Sequence, residues 1–214
     1  MKSPIKLSRG NAKIYRALIW NLPNGITCPG ATELCKKVCY AKDSAVLYKD
    51  VSPYRLNNFK VAKRSDFADL MIDKLNRARI NKVRIHESGD FFSQAYLNKW
   101  VKVIKSCPEK RFWAYTKSHQ LDFSEALTLK NLSLRYSVDV TTKKYPKQDI
   151  ARAYMSEYSC KVLVCPSSEV KGHAIRCMKD CSVCLEKGVP VIFRPHGTNI
   201  KIAKMYEEKK PLII

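Results

Sequence analysis

The sequence predicts an α/β fold in which short parallel strands alternate with helices. Short runs rich in β-branched and aromatic residues recur along the 214 residues, and segments with apolar residues at helical spacing separate them. Turn and cap residues close most of these elements. Such alternation favours parallel strands joined by right-handed crossovers. We expect a partial (βα)6 TIM barrel, and a doubly wound sheet satisfies the same pattern.

Six strands are predicted, at residues 14–20, 83–86, 111–116, 132–137, 161–164 and 189–193. In the fourth, Leu132, Leu134 and Tyr136 alternate with polar residues, which is the two-residue period of a strand. Pro190 restricts the sixth strand to a sheet edge or to a start just after the proline.

Helices are predicted between these strands. A helical piece begins at about residue 54, and Asp66 is placed to cap a second helix. Ser93 caps the next helix, which ends before Pro108, and residues 122–125 resemble a capping box. Residues 150–158 are predicted to form a further helix, and a short basic helix is expected near residue 205.

Composition indicates a single domain over residues 1–214, with a cysteine-rich loop at 165–185. We find no apolar run of membrane-spanning length and no signal peptide, so a reducing cytoplasm is expected. There, nine cysteines favour metal or cluster binding over disulfides. The net charge of +21 favours a polyanionic partner, nucleic acid above all, and a basic surface without a specific partner is the alternative.

The loop after the first strand carries Cys28, Cys35 and Cys39, separated by six and three residues. Three thiolates do not complete a tetrahedral zinc site, but they can hold three irons of a [4Fe–4S] cluster. The fourth iron would then accept a small molecule. A zinc ion that takes its fourth ligand from elsewhere is the alternative.

A second group of four cysteines forms a complete ligand set for zinc or for a second cluster: Cys165, Cys177, Cys181 and Cys184. His173 lies within the same loop and is a possible substitute ligand. Cys160 is not expected among the ligands, because five residues of extended chain separate it from Cys165. Cys107 is interpreted as a small buried hydrophobic residue.

Polar residues follow the predicted strands, where parallel α/β folds gather their functional groups. After the second to the sixth strand these are 88–90, Ser118 and His119, Ser137 and Asp139, Cys165, and Arg194 and His196. His86 is interpreted as a partly buried, hydrogen-bonded side chain rather than a base. The aromatic residues of 91–115 are interpreted as core rather than as a base-stacking surface.

Residues 28–41, 84–94 and 111–118, together with the late cysteine loop, resemble the phage gene 88 protein family. The resemblance covers about residues 10–197 and implies little about activity.

A more distant resemblance is to the radical SAM superfamily, which has a partial (βα)6 barrel and a three-cysteine loop after its first strand. By this resemblance, Ser88, Gly89 and Asp90 occupy the place of the segment that holds the amino group of S-adenosylmethionine. Ser137 and Asp139 correspond to residues that meet its ribose or carboxylate. The superfamily's usual Cys-x3-Cys-x2-Cys spacing occurs here only at residues 177–184, which implies an auxiliary cluster or a zinc site there.

The resemblance implies a radical-SAM-like iron–sulfur enzyme that generates a 5′-deoxyadenosyl radical and needs an electron donor. The positive charge indicates a nucleic acid or nucleotide substrate. The alternative is a non-catalytic, zinc- or cluster-stapled phage protein that binds nucleic acid. Either protein is expected in the cytoplasm, which for a phage protein is that of the host.

Overall fold

The computed structural model describes residues 4–11, 14–42, 48–143, 151–155, 163–165, 177–194 and 199–209. Within these ranges, seven parallel strands form one sheet in the order β1-β2-β3-β4-β5-β7-β6. The strands are β1 Leu18–Trp20, β2 Lys82–Ile85, β3 Arg111–Thr116, β4 Leu132–Val138, β5 Arg152–Met155, β6 Leu163–Val164 and β7 Val191–Phe193. The order follows the chain from β1 to β5, and only the last two strands are exchanged.

Six α-helices have both ends in the described ranges: α1 Glu33–Lys37, α2 Val51–Lys63, α3 Phe67–Asn76, α4 Gln94–Ser106, α5 Ser124–Thr128 and α6 Asn199–Lys209. Residues 40–42 are also helical. A 3₁₀ turn spans Val183–Leu185. Apolar residues of α2 to α5 join one core cluster with β1 to β4. Helices α2 to α5 therefore cover one side of the sheet, which we call the helix face, whereas α1 packs against Ile202 and Tyr206 of α6.

Aromatic side chains fill the core under the helix face. The ring of Trp20 on β1 lies 5.4 Å from that of Phe67 and 6.5 Å from that of Trp100. Phe91 and Trp100 are buried here, as the sequence predicts. Cys107 is buried at the edge of the same core, which confirms its interpretation as a small hydrophobic residue.

The opposite side of the sheet, which we call the inner face, carries the alternate strand residues. Strand pairing sets Ile19, Arg84 and Trp113 in one row and Tyr115 and Arg135 in the next. Residues 14–17 and 177–185 pack over this face and not over the helices. The ring of Tyr115 on β3 lies 5.4 Å from that of Phe193 on β7, although three strand-to-strand steps separate these strands.

The α/β prediction is confirmed, but two elements differ from it. The predicted helix at 150–158 is wrong where the structure describes it, because residues 152–155 form β5. This strand pairs with β4 and β7, and the two hydrogen-bonded neighbours outweigh the local helical pattern. The first strand spans only Leu18–Trp20, since Arg16 has a φ of +44° that interrupts the extended chain before it.

The other elements lie within a few residues of the prediction, but the capping box predicted at 122–125 is wrong, because Phe123 is the N-cap of α5 and makes no side-chain cap hydrogen bond. Asp66 is the N-cap of α3, also without such a bond. β3 has the predicted bounds, and Ser93 caps α4 by accepting a hydrogen bond from the Tyr96 N–H. β7 begins directly after Pro190 and lies inside the sheet, so the proline marks a strand start and not an edge. None of the described helices combines the length and apolar character needed to span a bilayer.

Candidate functional site

The exits of β1 and β2 are tied together by backbone and side-chain hydrogen bonds. Leu22 N–H donates to the Ser88 carbonyl, and Ser88 Oγ donates back to the Leu22 carbonyl, both at 2.9 Å. The Asn21 side-chain oxygen accepts from the backbone N–H groups of Glu87 and Ser88. The segment 88–90 therefore supports the start of the first cysteine loop, and its Ser88 hydroxyl is used within the protein.

Gly89 is required by this packing. Its φ is +84°, and a Cβ there would lie 2.6 Å from the Leu22 Cβ and 2.7 Å from the Thr27 hydroxyl oxygen. The space beside Gly89 is thus filled by Leu22 and Thr27 at the start of the cysteine loop. A role of Gly89 toward a cofactor stays a prediction.

The middle of the loop rests on the exit of β3. A Cβ on Gly30 would lie 1.8 Å from the carbonyl oxygen of Lys117, which is backbone and cannot move aside cheaply. Only glycine therefore fits between Cys28 and α1 at this point.

Thr32 and Asp139 join the loop to the exit of β4. Thr32 caps α1 by accepting from the Cys35 N–H, and its own hydroxyl donates to Asp139 at 2.5 Å. Asp139 also accepts from Lys117 Nζ at 2.7 Å and from the N–H and hydroxyl of Thr141. Burial alone would raise the pKa of Asp139, but Lys117 and these hydroxyl groups together bring it below its ordinary value.

Asp90 lies beside this pair, buried at the exit of β2. One carboxylate oxygen accepts from the Thr116 hydroxyl and the Phe91 N–H, and the other accepts from the Lys117 N–H at 2.7 Å. Burial nevertheless raises the pKa of Asp90 to about 6. Both carboxylate oxygens of Asp90 already accept hydrogen bonds from the protein. The predicted ammonium group of a ligand would therefore have to share these acceptors.

The three cysteines of the loop lie close to these groups. Burial, followed by Asp90 and the thiols of Cys35 and Cys39, raises the pKa of Cys28 to about 12. Burial also raises the pKa of Cys35, and the Lys117 ammonium group opposes that rise. The structure thus brings the predicted residues after β1, β2 and β4 to one edge of the sheet, where the three thiols are partly buried.

Ser137 lies on the inner face just before Asp139. Its carbonyl accepts from His119 Nε2 at 3.1 Å and from Lys117 Nζ at 3.4 Å. The roles of Ser137 and Asp139 toward the ribose or carboxylate of S-adenosylmethionine stay predictions.

Cys177 and Cys184 of the second group lie over the inner face. The Cys184 thiol accepts from the Tyr115 hydroxyl at 2.7 Å, and its pKa is raised by burial, with Cys177 adding to the rise. Cys177 and Cys181 pair as an isolated backbone bridge. Cys165 follows β6, and its N–H donates to the Ile192 carbonyl at 2.7 Å.

Metal coordination at both groups stays a prediction. Across the described ranges, no three His, Cys, Asp or Glu side chains are grouped as ligands of a single metal ion. Cys160, His173 and His196 lie outside these ranges.

Sequence reasoning missed Lys117, although it is central to the site. Its N–H, carbonyl and ammonium groups meet Asp90, the Gly30 backbone and Asp139 respectively. Its position directly after the third strand was the available signal. The interpretation of His86 as a hydrogen-bonded side chain holds for one ring nitrogen only: the residue is buried and its Nε2 lies 2.9 Å from the Tyr96 hydroxyl, but its Nδ1 has no hydrogen-bond partner in the described part of the chain.

Comparisons with known proteins place this chain among phage sequences. A family model described as "Gene product 88" matches residues 4–205. The "Gene 88 protein" of Mycobacterium phage D29 is 36% identical over 144 residues, and that of Mycobacterium phage L5 is 35% identical over the same length. In both cases the alignment covers 61% of this chain and 60% of the relative, so the chain spans about three fifths of these relatives' length. No solved structure matches.

Proposed function

This chain belongs to the gene product 88 family, and we propose that it is a radical-SAM-like iron–sulfur enzyme. One observation carries the proposal. Cys28, Cys35 and Cys39 lie partly buried on a loop that leaves the first strand of a parallel sheet and rests on the exits of β3 and β4. Three cysteine ligands at a strand exit suit a [4Fe–4S] cluster with one iron left open.

The course of the chain supports a partial (βα)6 barrel as the scaffold. The strands from β1 to β5 follow one another in space, and helices α2 to α5 cover one face of the sheet. In a flat sheet, three steps of about 4.8 Å would place β3 and β7 roughly 14 Å apart. The 5.4 Å contact of Tyr115 with Phe193 supports an inward curvature of the face between them.

The residues at this edge suit the chemistry proposed for them. With an electron from an external donor, a cluster of this kind cleaves S-adenosylmethionine into methionine and a 5′-deoxyadenosyl radical, which takes a hydrogen atom from a substrate. Cys28, Cys35 and Cys39 would hold the cluster, and Ser88, Gly89, Asp90, Ser137 and Asp139 would line the cofactor's place. Lys117 would keep Asp139 ionised, and Thr32 would hold the loop closed against β4.

The charge of the chain suggests the substrate. With a net charge of +21, the protein would attract a nucleic acid or a nucleotide. The place of action would be the cytoplasm of the phage host. Cys165, Cys177, Cys181 and Cys184 would hold an auxiliary cluster or a structural zinc ion.

The second candidate is a nucleic-acid-binding protein without catalysis, in which zinc ions or clusters fix the two cysteine segments. The same net charge favours it. The two candidates differ in what the first cysteine loop holds and in whether the protein cleaves S-adenosylmethionine.

Metal analysis of protein purified without oxygen tests the proposal. We expect a brown protein with iron and acid-labile sulfide, and a loss of about four irons per chain in Cys35→Ala. The matched control is Cys107→Ala, since Cys107 is buried in the core away from both cysteine groups. A colourless protein that contains zinc alone would contradict the proposal and favour the second candidate.

A further inference from the structure

Arg84 occupies an unusual place on the inner face of the sheet. It lies on β2 between Ile19 of β1 and Trp113 of β3, both of which are buried. Its guanidinium carbon is 5.4 Å from the centre of the Tyr115 ring, a cation–π contact. The side chain thus extends along the inner face, between the first cysteine loop and the segment with Cys184.

The guanidinium group of Arg84 has no bonded partner in the described part of the chain. Its Nε is buried without a hydrogen bond, and no described carboxylate forms an ion pair with it. Glu87, the acidic residue nearest in the chain, accepts its hydrogen bond from Asn11 instead. The side chain is only partly buried, so the described residues neither pair this cation nor enclose it completely.

Arg135, on the same face two strands away, shows the opposite arrangement. It is fully buried and donates to the carbonyls of Val183, Cys184, Glu186 and Val189 and to the Ser133 hydroxyl. Arg135 therefore has a structural role in fixing the segment 183–189. The contrast shows that this face can satisfy a buried arginine fully, which it does not do for Arg84.

We propose that Arg84 recognises an oxyanion, a carboxylate or a phosphate, on a small molecule bound against the inner face. The planar fork of a guanidinium group pairs with such groups through two parallel hydrogen bonds. Burial would lower the pKa of Arg84, but Tyr40, Tyr115 and Glu87 nearby raise it, so the group is a permanent cation.

The position of Arg84 suggests which molecule this is. Tyr40 follows Cys39 directly, donates to the Glu87 carbonyl and is one of the groups that raise the pKa of Arg84, so Arg84 lies next to the proposed cluster loop. An anion held there lies where a substrate would meet the chemistry proposed above. The oxyanion site does not depend on the proposed function. Only the identification of the bound molecule as a substrate rests on it.

The test compares melting temperatures of Arg84→Met and Arg135→Met with that of the intact chain, all purified without oxygen. In chloride buffer, Arg84→Met should melt within about 2 °C of the intact chain, because the partly buried Arg84 forms no hydrogen bond or ion pair with the described residues. Arg135→Met should melt at least about 6 °C lower, since several buried carbonyls lose their donor. A melting temperature of Arg84→Met as low as that of Arg135→Met would overturn the proposal.

The second arm adds inorganic phosphate, acetate or S-adenosylmethionine at constant ionic strength. Phosphate or acetate should raise the melting temperature of the intact chain more than that of Arg84→Met, because only the former binds the ion. Phosphate also stabilises folded proteins in general, and this effect acts equally on Arg84→Met and on the intact chain. The difference between their melting temperatures therefore reports binding at Arg84. Arg84→Lys, which keeps the charge but not the fork, should show a reduced response and serves if Arg84→Met does not fold.

The outcomes separate the sources of the anion. Equal responses of both proteins to all three probes would overturn the proposal. A response to S-adenosylmethionine alone that depends on Arg84 would assign the anion to that cofactor's carboxylate and overturn the substrate assignment. Iron content should be the same in Arg84→Met and the intact chain. An intact chain without iron would refute the proposed enzyme and leave the oxyanion site standing.

Discussion

The ion pair between Lys117 and Asp139 should make an unusually large contribution to stability. Its atoms lie 2.7 Å apart, and the side chains are 13% and 0% exposed. Removing one partner of a buried pair leaves an uncompensated charge, at a cost of about 3–5 kcal/mol. In Lys117→Met, Asp139 keeps its bonds from Thr32 and Thr141, so we expect the lower end of that range. For a chain of this size, about 3 kcal/mol corresponds to a melting temperature roughly 6–12 °C lower.

A matched control is available on the surface. Lys105 and Glu125 form an ion pair at 2.5 Å, but their side chains are 51% and 60% exposed. Such pairs contribute about 0.2–1 kcal/mol, so Lys105→Met should change the melting temperature little. Differential scanning calorimetry of both variants measures the contrast. Equal shifts for Lys117→Met and Lys105→Met would refute the reasoning.

The effect of Lys117→Met should also depend on pH. The pKa of Asp139 in the folded chain is below its ordinary value of 3.8. Its contribution is therefore present above about pH 4 and is lost as the pH falls through the folded-state pKa. In Lys117→Met the buried carboxylate lacks its cation and protonates more readily. The stability difference between the two proteins should be widest at neutral pH and narrow towards pH 4, and a constant difference would contradict this account.

Four further outcomes are expected. Gly30→Ala should cost about 1–3 kcal/mol by overpacking against the Lys117 carbonyl, and an unchanged midpoint of urea unfolding would contradict this. Asp90→Ala should unfold more easily than Asp90→Asn, since it removes the acceptor of three hydrogen bonds, and equal midpoints would contradict this. Cys181→Ser should lower soluble yield and metal content if the second cysteine group is structural, and unchanged values would reject that role. Binding to a labelled oligonucleotide should weaken steeply with salt, and salt-independent binding would count against phosphate contacts.

Strand exits and caps were predictable because their signals are local. The turn after β1, the 88–90 segment and the Ser93 cap each depend on a few adjacent residues. Those signals were enough to place Cys28, Asp90 and Asp139 at one edge of the sheet.

Other features depend on distant partners and left no local signal. Lysine is usually a surface residue. The role of Lys117 comes from its contacts with Asp139, just after the next strand, and with Gly30 far upstream. The Nε of Arg84 has no hydrogen-bond partner in the described part of the chain, and this becomes visible only when the strands are packed into the sheet. The 152–155 segment has a helical pattern and becomes a strand because β4 and β7 flank it.

Reductive cleavage of S-adenosylmethionine by anaerobically reconstituted protein tests the central claim most directly. We expect 5′-deoxyadenosine from the intact chain and from Cys107→Ala, and none from Cys35→Ala. An intact chain that holds a full cluster but neither binds nor cleaves S-adenosylmethionine would contradict the claim.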